Sequence, residues 1–156
     1  MLIILSVYLI AIACWLGGIV FFSFFTTRIV FASLPRPEAG VAIRALFPQY
    51  YMLGYIAGTI SLVLAIYITA VRTPRLWWGF TTLTLAIALG LTFYAGTVIR
   101  PRVEAIRGVT EEANPDPIRK AEFDKLHRMS VILNGAVLLL NLAAVVGTSG
   151  ALTARG

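Results

Sequence analysis

Four long apolar runs, over 2–27, 50–71, 76–99 and 129–146, fill most of this chain, and its charges lie almost entirely between them. A hydrocarbon core ~30 Å thick takes about 20 apolar residues in helical form. Each run is near or above that length. In lipid every backbone polar group must be satisfied within its own segment, which makes helices the natural solution. The pattern therefore predicts an all-α fold, an integral membrane four-helix bundle forming a single domain over 1–156. Only 13% of the residues are charged, against about 25% in a typical soluble domain, too few to cover a soluble surface.

The charge balance gives an orientation. The net charge of +6 and the pI near 10.0 would suit nucleic acid, but the basic residues sit beside the spans, as expected of loops facing anionic lipid, and no nucleic-acid partner is expected. The connections after the first and third runs carry ten Lys and Arg residues, and the opposite side carries three, Arg72, Arg75 and Arg155. The positive-inside rule then puts both connections in the cytoplasm and both termini outside, N-out/C-out, in the cell (inner) membrane as a multi-pass protein. Trp77 and Trp78 fall at the outer interface, Tyr50 and Tyr51 at the inner one. The amino-terminal run lacks a basic flank and exceeds the ~7–15 apolar residues of a signal peptide, so it is expected to persist as the first helix. Cys14 stands alone, which leaves no intramolecular disulfide, and its place inside the first span suggests a small buried thiol.

Local signals set the boundaries. The first helix is expected to continue to about Ala32, where Leu34-Pro35-Arg36-Pro37 stops it. Over 37–47 apolar residues alternate with Glu38 and Arg44, which predicts a short interfacial helix on the inner leaflet, separated from the second span by Pro48. Gly54 and Gly58 have the small-xxx-small spacing that lets helices approach closely in lipid. This reads first as packing within the bundle and second as a dimer contact. Trp15, Gly18, Gly54 and Gly58 are the candidate helix-packing residues. Thr73-Pro74 predicts a hydroxyl-capped start for the third helix, and Asp116-Pro117 a carboxylate-capped start for the fourth. The third helix can run to Arg107 with Gly108 as its stop. Both helices then extend into the cytoplasm around a charged hairpin over Gly108–Pro115.

The candidate functional residues are polar side chains at lipid depth. His127, Asn134 and Asn141 are spaced by seven, hence nearly superposed on one helical face. Asparagines there should face protein or a water-filled cavity rather than lipid; they serve either as interhelical hydrogen-bond glue or as cavity lining. Arg28, Gln49 with Tyr50, Arg100 and His127 end or begin the spans at one level. Snorkelling arginines that anchor to headgroups would explain this ring, and so would a shared polar site suited to a carboxylate, phosphate or lipid headgroup. Pro101 frees the carbonyl near Thr97, either as a hinge or as a passive kink. No Asp or Glu lies within a span, which disfavours a proton pump or cation transporter. One histidine and one cysteine make no zinc site alone, and no nucleophile–base pair is evident.

Three stretches carry a resemblance: Trp15-Leu-Gly-Gly-Ile-Val-Phe-Phe with Arg28; Leu34-Pro-Arg-Pro-Glu-Ala-Gly40 running to Leu46-Phe-Pro-Gln-Tyr-Tyr51; and Arg100-Pro-Arg102 followed by Phe123-Asp-Lys-Leu-His-Arg-Met-Ser130 and Asn134. Together they resemble the transmembrane protein 205-like family, domain of unknown function 4149, over almost the whole chain. The resemblance implies a four-helix integral membrane protein and brings no settled activity. The first helix, Trp15 through Arg28, is also similar in style to HemJ-type protoporphyrinogen oxidases and CopD-type membrane proteins, which would imply haem or copper chemistry. This chain departs from them in having no His in its first three helices and no Met/His cluster.

The leading expectation is thus a non-enzymatic bundle that binds or passes a small anionic or amphiphilic molecule through a polar cavity at the cytoplasmic side. Arg28, Tyr50, Arg100, His127, Asn134 and Asn141 are the candidate ligand-binding residues. The alternative is an accessory subunit of a larger membrane assembly. A third reading is a haem-dependent oxidoreductase with His127 as axial ligand; otherwise no cofactor and no metal is expected. The expected partners are the lipid bilayer and either further copies of the chain in a homo-oligomer, with a dimer favoured because symmetric dimers are the commonest closed assembly, or a membrane-complex partner.

Overall fold

A computed structural model describes residues 1–106 and 116–154. Four helices, each long and apolar enough to cross a membrane, account for the fold: α1 (Leu2–Ser33), α2 (Arg36–Val71), α3 (Arg75–Ile106) and α4 (Pro117–Thr153). No strand occurs among the described residues. The expected stop at Arg107 and Gly108, the hairpin over Gly108–Pro115, and Arg155 lie outside the described residues.

The chain doubles back at each short connection. Leu34 is extended (φ −125°, ψ 149°), the conformation that a following proline imposes, and α2 starts two residues later. Neighbours in sequence therefore pack antiparallel. The most extensive contacts join α3 to α4, α3 to α2 and α1 to α2; those between α1 and α4 are fewer. Hydrogen bonds fix the register: Tyr8 with Thr148 across α1 and α4 (2.7 Å), Thr69 with Thr82 across α2 and α3 (2.9 Å).

The separate surface helix expected over 37–47 is instead the opening of α2, which continues without a break through Pro48. Proline in a helix interior removes one donor and costs about 3 kcal/mol. Here the contacts on both sides of it outweigh that cost. Ala39 and Ile43 are buried, and Arg44 Nε lies 3.3 Å from Glu104 Oε1 on α3. Both side chains of that pair are more than a third exposed, so a double-mutant cycle of Arg44→Gln and Glu104→Gln should give a coupling of at most about 1 kcal/mol, weakened by salt. A coupling several times larger would mean that the pair is far better desolvated than its exposure indicates.

At the α3 start, Pro74 rather than Thr73 occupies the N-cap position, without a side-chain cap bond. Asp116 does cap α4, accepting from Ile118 N–H at 3.1 Å. Cys14 is exposed rather than buried, on the outer face of α1.

The core is a stack of close contacts around α3. Tyr8, Trp15, Trp78, Leu85 and Ala144 are almost wholly buried. Small residues make room for the indoles: Trp15 lies against Gly54 and Gly58, and Trp77 against Gly150. The outer faces are the reverse of a soluble surface, with Ile3, Leu76 and Leu139 at 77%, 81% and 67% exposure. Apolar outer faces on helices of this length belong in lipid, and the chain is a small multi-pass membrane protein.

Two wide turns interrupt the regular winding. Residues Phe21–Thr26 of α1 and Ala95–Ile99 of α3 are π-helical. The second lies just before Pro101, whose missing donor falls in the turn that widens. Single π turns inside α-helices occur often at functional sites.

Candidate functional site

The first π turn brings Ser23 into the bundle. Phe21, Phe24 and Phe25 point outward and are more than half exposed, while Phe22 stacks on Tyr50 of α2 (4.5 Å, 24°). Thr27 clamps the turn: its N–H and its hydroxyl both donate to the Phe22 carbonyl, the hydroxyl at 2.9 Å. Opposite, Asn134 of α4 uses both ends of its amide. Its Nδ2 donates to Ser23 Oγ at 2.8 Å, and its Oδ1 accepts from the Tyr50 hydroxyl. One asparagine thereby ties α1, α2 and α4 together at the end of the bundle that carries the basic connections.

Beneath this network lies a cavity of about 20 Å³ among Trp15, Tyr50, Gly54, Thr92, Asn134 and Val137. That is space for one water molecule, and far short of the several hundred Å³ of a small-molecule pocket.

From Tyr50 an aromatic ladder leads to the α2–α3 flank. Tyr50 meets Tyr51 edge-on (5.4 Å, 71°), Tyr51 stacks on Tyr55 (6.1 Å, 29°), and Tyr55 lies flat on Phe93 of α3 (4.4 Å, 6°). Offset and edge-on pairs of this kind add about 0.5–1.5 kcal/mol each beyond their burial. The ladder can approach α3 because Gly96, in the second π turn, has no side chain; a Cβ there would overlap Tyr55 Oη and come within 2.8 Å of the Tyr51 ring. Arg100, one turn further along α3, is half-buried.

The structure thus brings Tyr50 and Asn134 into direct contact and puts Arg100 at the far end of the same ladder. The other expected members lie elsewhere. Arg28 is exposed on α1. His127 is exposed too, its ring parallel to Phe123 (6.1 Å, 3°), while its neighbour Leu126 takes the buried position against α3. Asn141 is fully buried, nearer the middle of the bundle; its Nδ2 donates to the Val137 carbonyl at 3.0 Å, and its Oδ1 has no partner among the described residues. Among the described residues no group of three or more His, Cys, Asp and Glu side chains could hold a metal ion.

Sequence reasoning passed over Ser23, Thr92 and the ladder beyond Tyr50. The available signals were the Ser23 hydroxyl set between two pairs of phenylalanines and the i, i+4 spacing of Tyr51 and Tyr55, which puts two phenols on one helical face.

A family model matches residues 10–112, two thirds of the chain, and its description is a domain of unknown function, DUF4149. The chain belongs to the DUF4149 family. The matched segment contains Trp15, Ser23, the tyrosine ladder and Arg100, and it ends before α4 and Asn134. An uncharacterised protein of Aquifex aeolicus (strain VF5) is 29% identical over 126 residues, covering 81% of this chain and 82% of that protein. No solved structure matches the chain.

Proposed function

We propose that this DUF4149 protein is a non-enzymatic bundle of the cell (inner) membrane that binds a small anionic or amphiphilic molecule at its basic end. The count of ten basic residues against three supports placing that end in the cytoplasm, with both termini outside. The observation that carries the reading is Arg100, half-buried one turn beyond Gly96, where the Tyr55 hydroxyl and the Tyr51 ring of the aromatic ladder pack against α3. A guanidinium at such a depth is costly to leave without an anion. The water-sized interior cavity favours holding a ligand at this mouth over passing one through the protomer. Tyr50 and Asn134 then act as positioning residues, since the hydrogen bond between them fixes the inner end of the ladder.

Native mass spectrometry of the full chain, gently extracted in neutral detergent, tests the reading. The expected spectrum shows a defined oligomer carrying a fixed extra mass, about one per chain, that falls at least tenfold in occupancy in Arg100→Gln. A bare chain, or one seen only with foreign subunits attached, would overturn the proposal in favour of an accessory role.

A further inference from the structure

The α2–α3 flank holds a cation, Arg100, that forms no ion pair with any carboxylate among the described residues. Glu104, one turn along α3, lies 3.3 Å from Arg44, and Asp124 on α4 lies 3.2 Å from Lys120. Tyr55 Oη and the Tyr51 ring lie against Gly96, one turn before Arg100 on α3, and among the described residues neither hydroxyl has a hydrogen-bond partner. The lack of a side chain on Gly96 is what lets both tyrosines approach the α3 backbone there.

Three donor groups of this geometry call for an anion with several oxygens. A phosphodiester fits: the planar guanidinium can take two non-bridging oxygens in parallel, and each phenol can donate one further bond. A zwitterionic headgroup fits less well, because its cation would need a carboxylate, and Glu104, one turn along α3, is already paired with Arg44. The surface beside the donors indicates what else the ligand carries. Met52, Ile56 and Phe93 are 57%, 55% and 43% exposed and continue from the tyrosines toward the middle of the span. A free phosphate would leave that strip unused, whereas an acyl chain would cover it.

We infer that Arg100, Tyr51 and Tyr55 form a headgroup site for an anionic phospholipid, with an acyl chain lying along Met52, Ile56 and Phe93. This rests on the proposal that the basic end binds a ligand, and it names the ligand's class. It also separates Arg100 from the other arginines of that end. Arg102, two residues on, is exposed and would meet lipid only through diffuse attraction.

The test titrates the delipidated full chain with phosphatidylglycerol, or with phosphatidylcholine of the same acyl chains, and counts bound lipids by native mass spectrometry. One phosphatidylglycerol per chain is expected, held at least tenfold more tightly than phosphatidylcholine. Arg100→Gln should weaken it tenfold or more, and Arg100→Lys, which keeps the charge but loses the fork, by an intermediate factor. Tyr51→Phe with Tyr55→Phe should weaken it severalfold. Arg102→Gln should match the parent, and helix content by circular dichroism should be the same throughout. Equal binding of the two lipids, or equal losses in Arg100→Gln and Arg102→Gln, would overturn the site. So would displacement of the lipid by millimolar inorganic phosphate, which would mark a simple anion site. A fixed mass of another chemical class, lost in Arg100→Gln, would overturn this inference and leave the ligand-binding reading standing. No bound mass under any condition would overturn both.

Discussion

Gly58→Ala lowers the unfolding free energy of the bundle by about 1–3 kcal/mol, whereas Gly90→Ala leaves it unchanged or raises it by up to about 1 kcal/mol. The two substitutions are chemically identical, so the difference isolates packing. At Gly58 a Cβ would stand 2.8 Å from Leu89 Cδ1 and 2.9 Å from Trp15 Cη2 and Cζ3. The leucine tip can swing aside. The indole cannot: it is 2% exposed and wedged against both Gly54 and Gly58. Separating α1 from α2 by even a few tenths of an ångström forfeits dispersion contacts along the whole seam. At Gly90 nothing lies within 4 Å of the added methyl, and only the better helix propensity of alanine remains. Reversible unfolding in mixed micelles, followed by far-ultraviolet circular dichroism, measures both. Trp15→Phe in the Gly58→Ala background should recover part of the loss, since the smaller ring vacates the space the methyl needs. Equal effects at Gly58 and Gly90 would show that the indole is not packed on this glycine.

Depth was legible in the sequence; azimuth was not. Apolar runs near or above the length of a bilayer-spanning helix locate the four helices, and Asp116-Pro117 marks the start of α4 to the residue. The level of Tyr50, Arg100 and Asn134 comes from the same count. Which way each side chain faces depends on the winding between it and the core, and two π turns change that winding. Each adds about one residue to a turn, rotating the residues beyond it by about 100° relative to a regular helix. Arg28 comes after the π turn at Phe21–Thr26 and ends up exposed; Arg100 comes after the one at Ala95–Ile99 and ends up half-buried, one turn beyond the glycine on which the tyrosines pack. Neither turn has a sequence signature strong enough to predict it. A smaller error accumulates along α4, because a heptad spacing drifts by about 20° per repeat on a straight helix. Asn141 is fully buried, Asn134 half-buried and His127 exposed, a progressive rotation out of the bundle. Pro48 misled for another reason. Its local penalty is real, but the burial of Ile43 and the Arg44–Glu104 contact are tertiary terms that no local rule contains.

The same two asparagines supply the second contrast. Asn134→Leu should destabilise the bundle by about 1–2 kcal/mol, and Asn141→Leu should be neutral or stabilise it by up to about 1 kcal/mol. Asn134 makes two interhelical bonds, to Tyr50 and Ser23. Such bonds average about 0.6 kcal/mol in membrane bundles, and removing the shared partner also leaves two hydroxyls unsatisfied. Asn141 makes no bond to another helix among the described residues. Its Nδ2 serves its own helix, its Oδ1 is buried without a partner among the described residues, and leucine, with the same branched skeleton but bulkier ends, removes that unpaired carbonyl. The two variants should also part in function. Unpinning Tyr50 loosens the ring that meets Tyr51 edge-on, so Asn134→Leu should lose phosphatidylglycerol along with stability, and Asn141→Leu should keep both. If instead Asn141→Leu folds as stably as expected but loses the lipid, the buried Oδ1 must find its partner in a second arrangement of the helices. Binding would then depend on that arrangement rather than on the closed bundle. Equal destabilisation by the two leucines would sink the assignment of Asn134 as the junction of α1, α2 and α4.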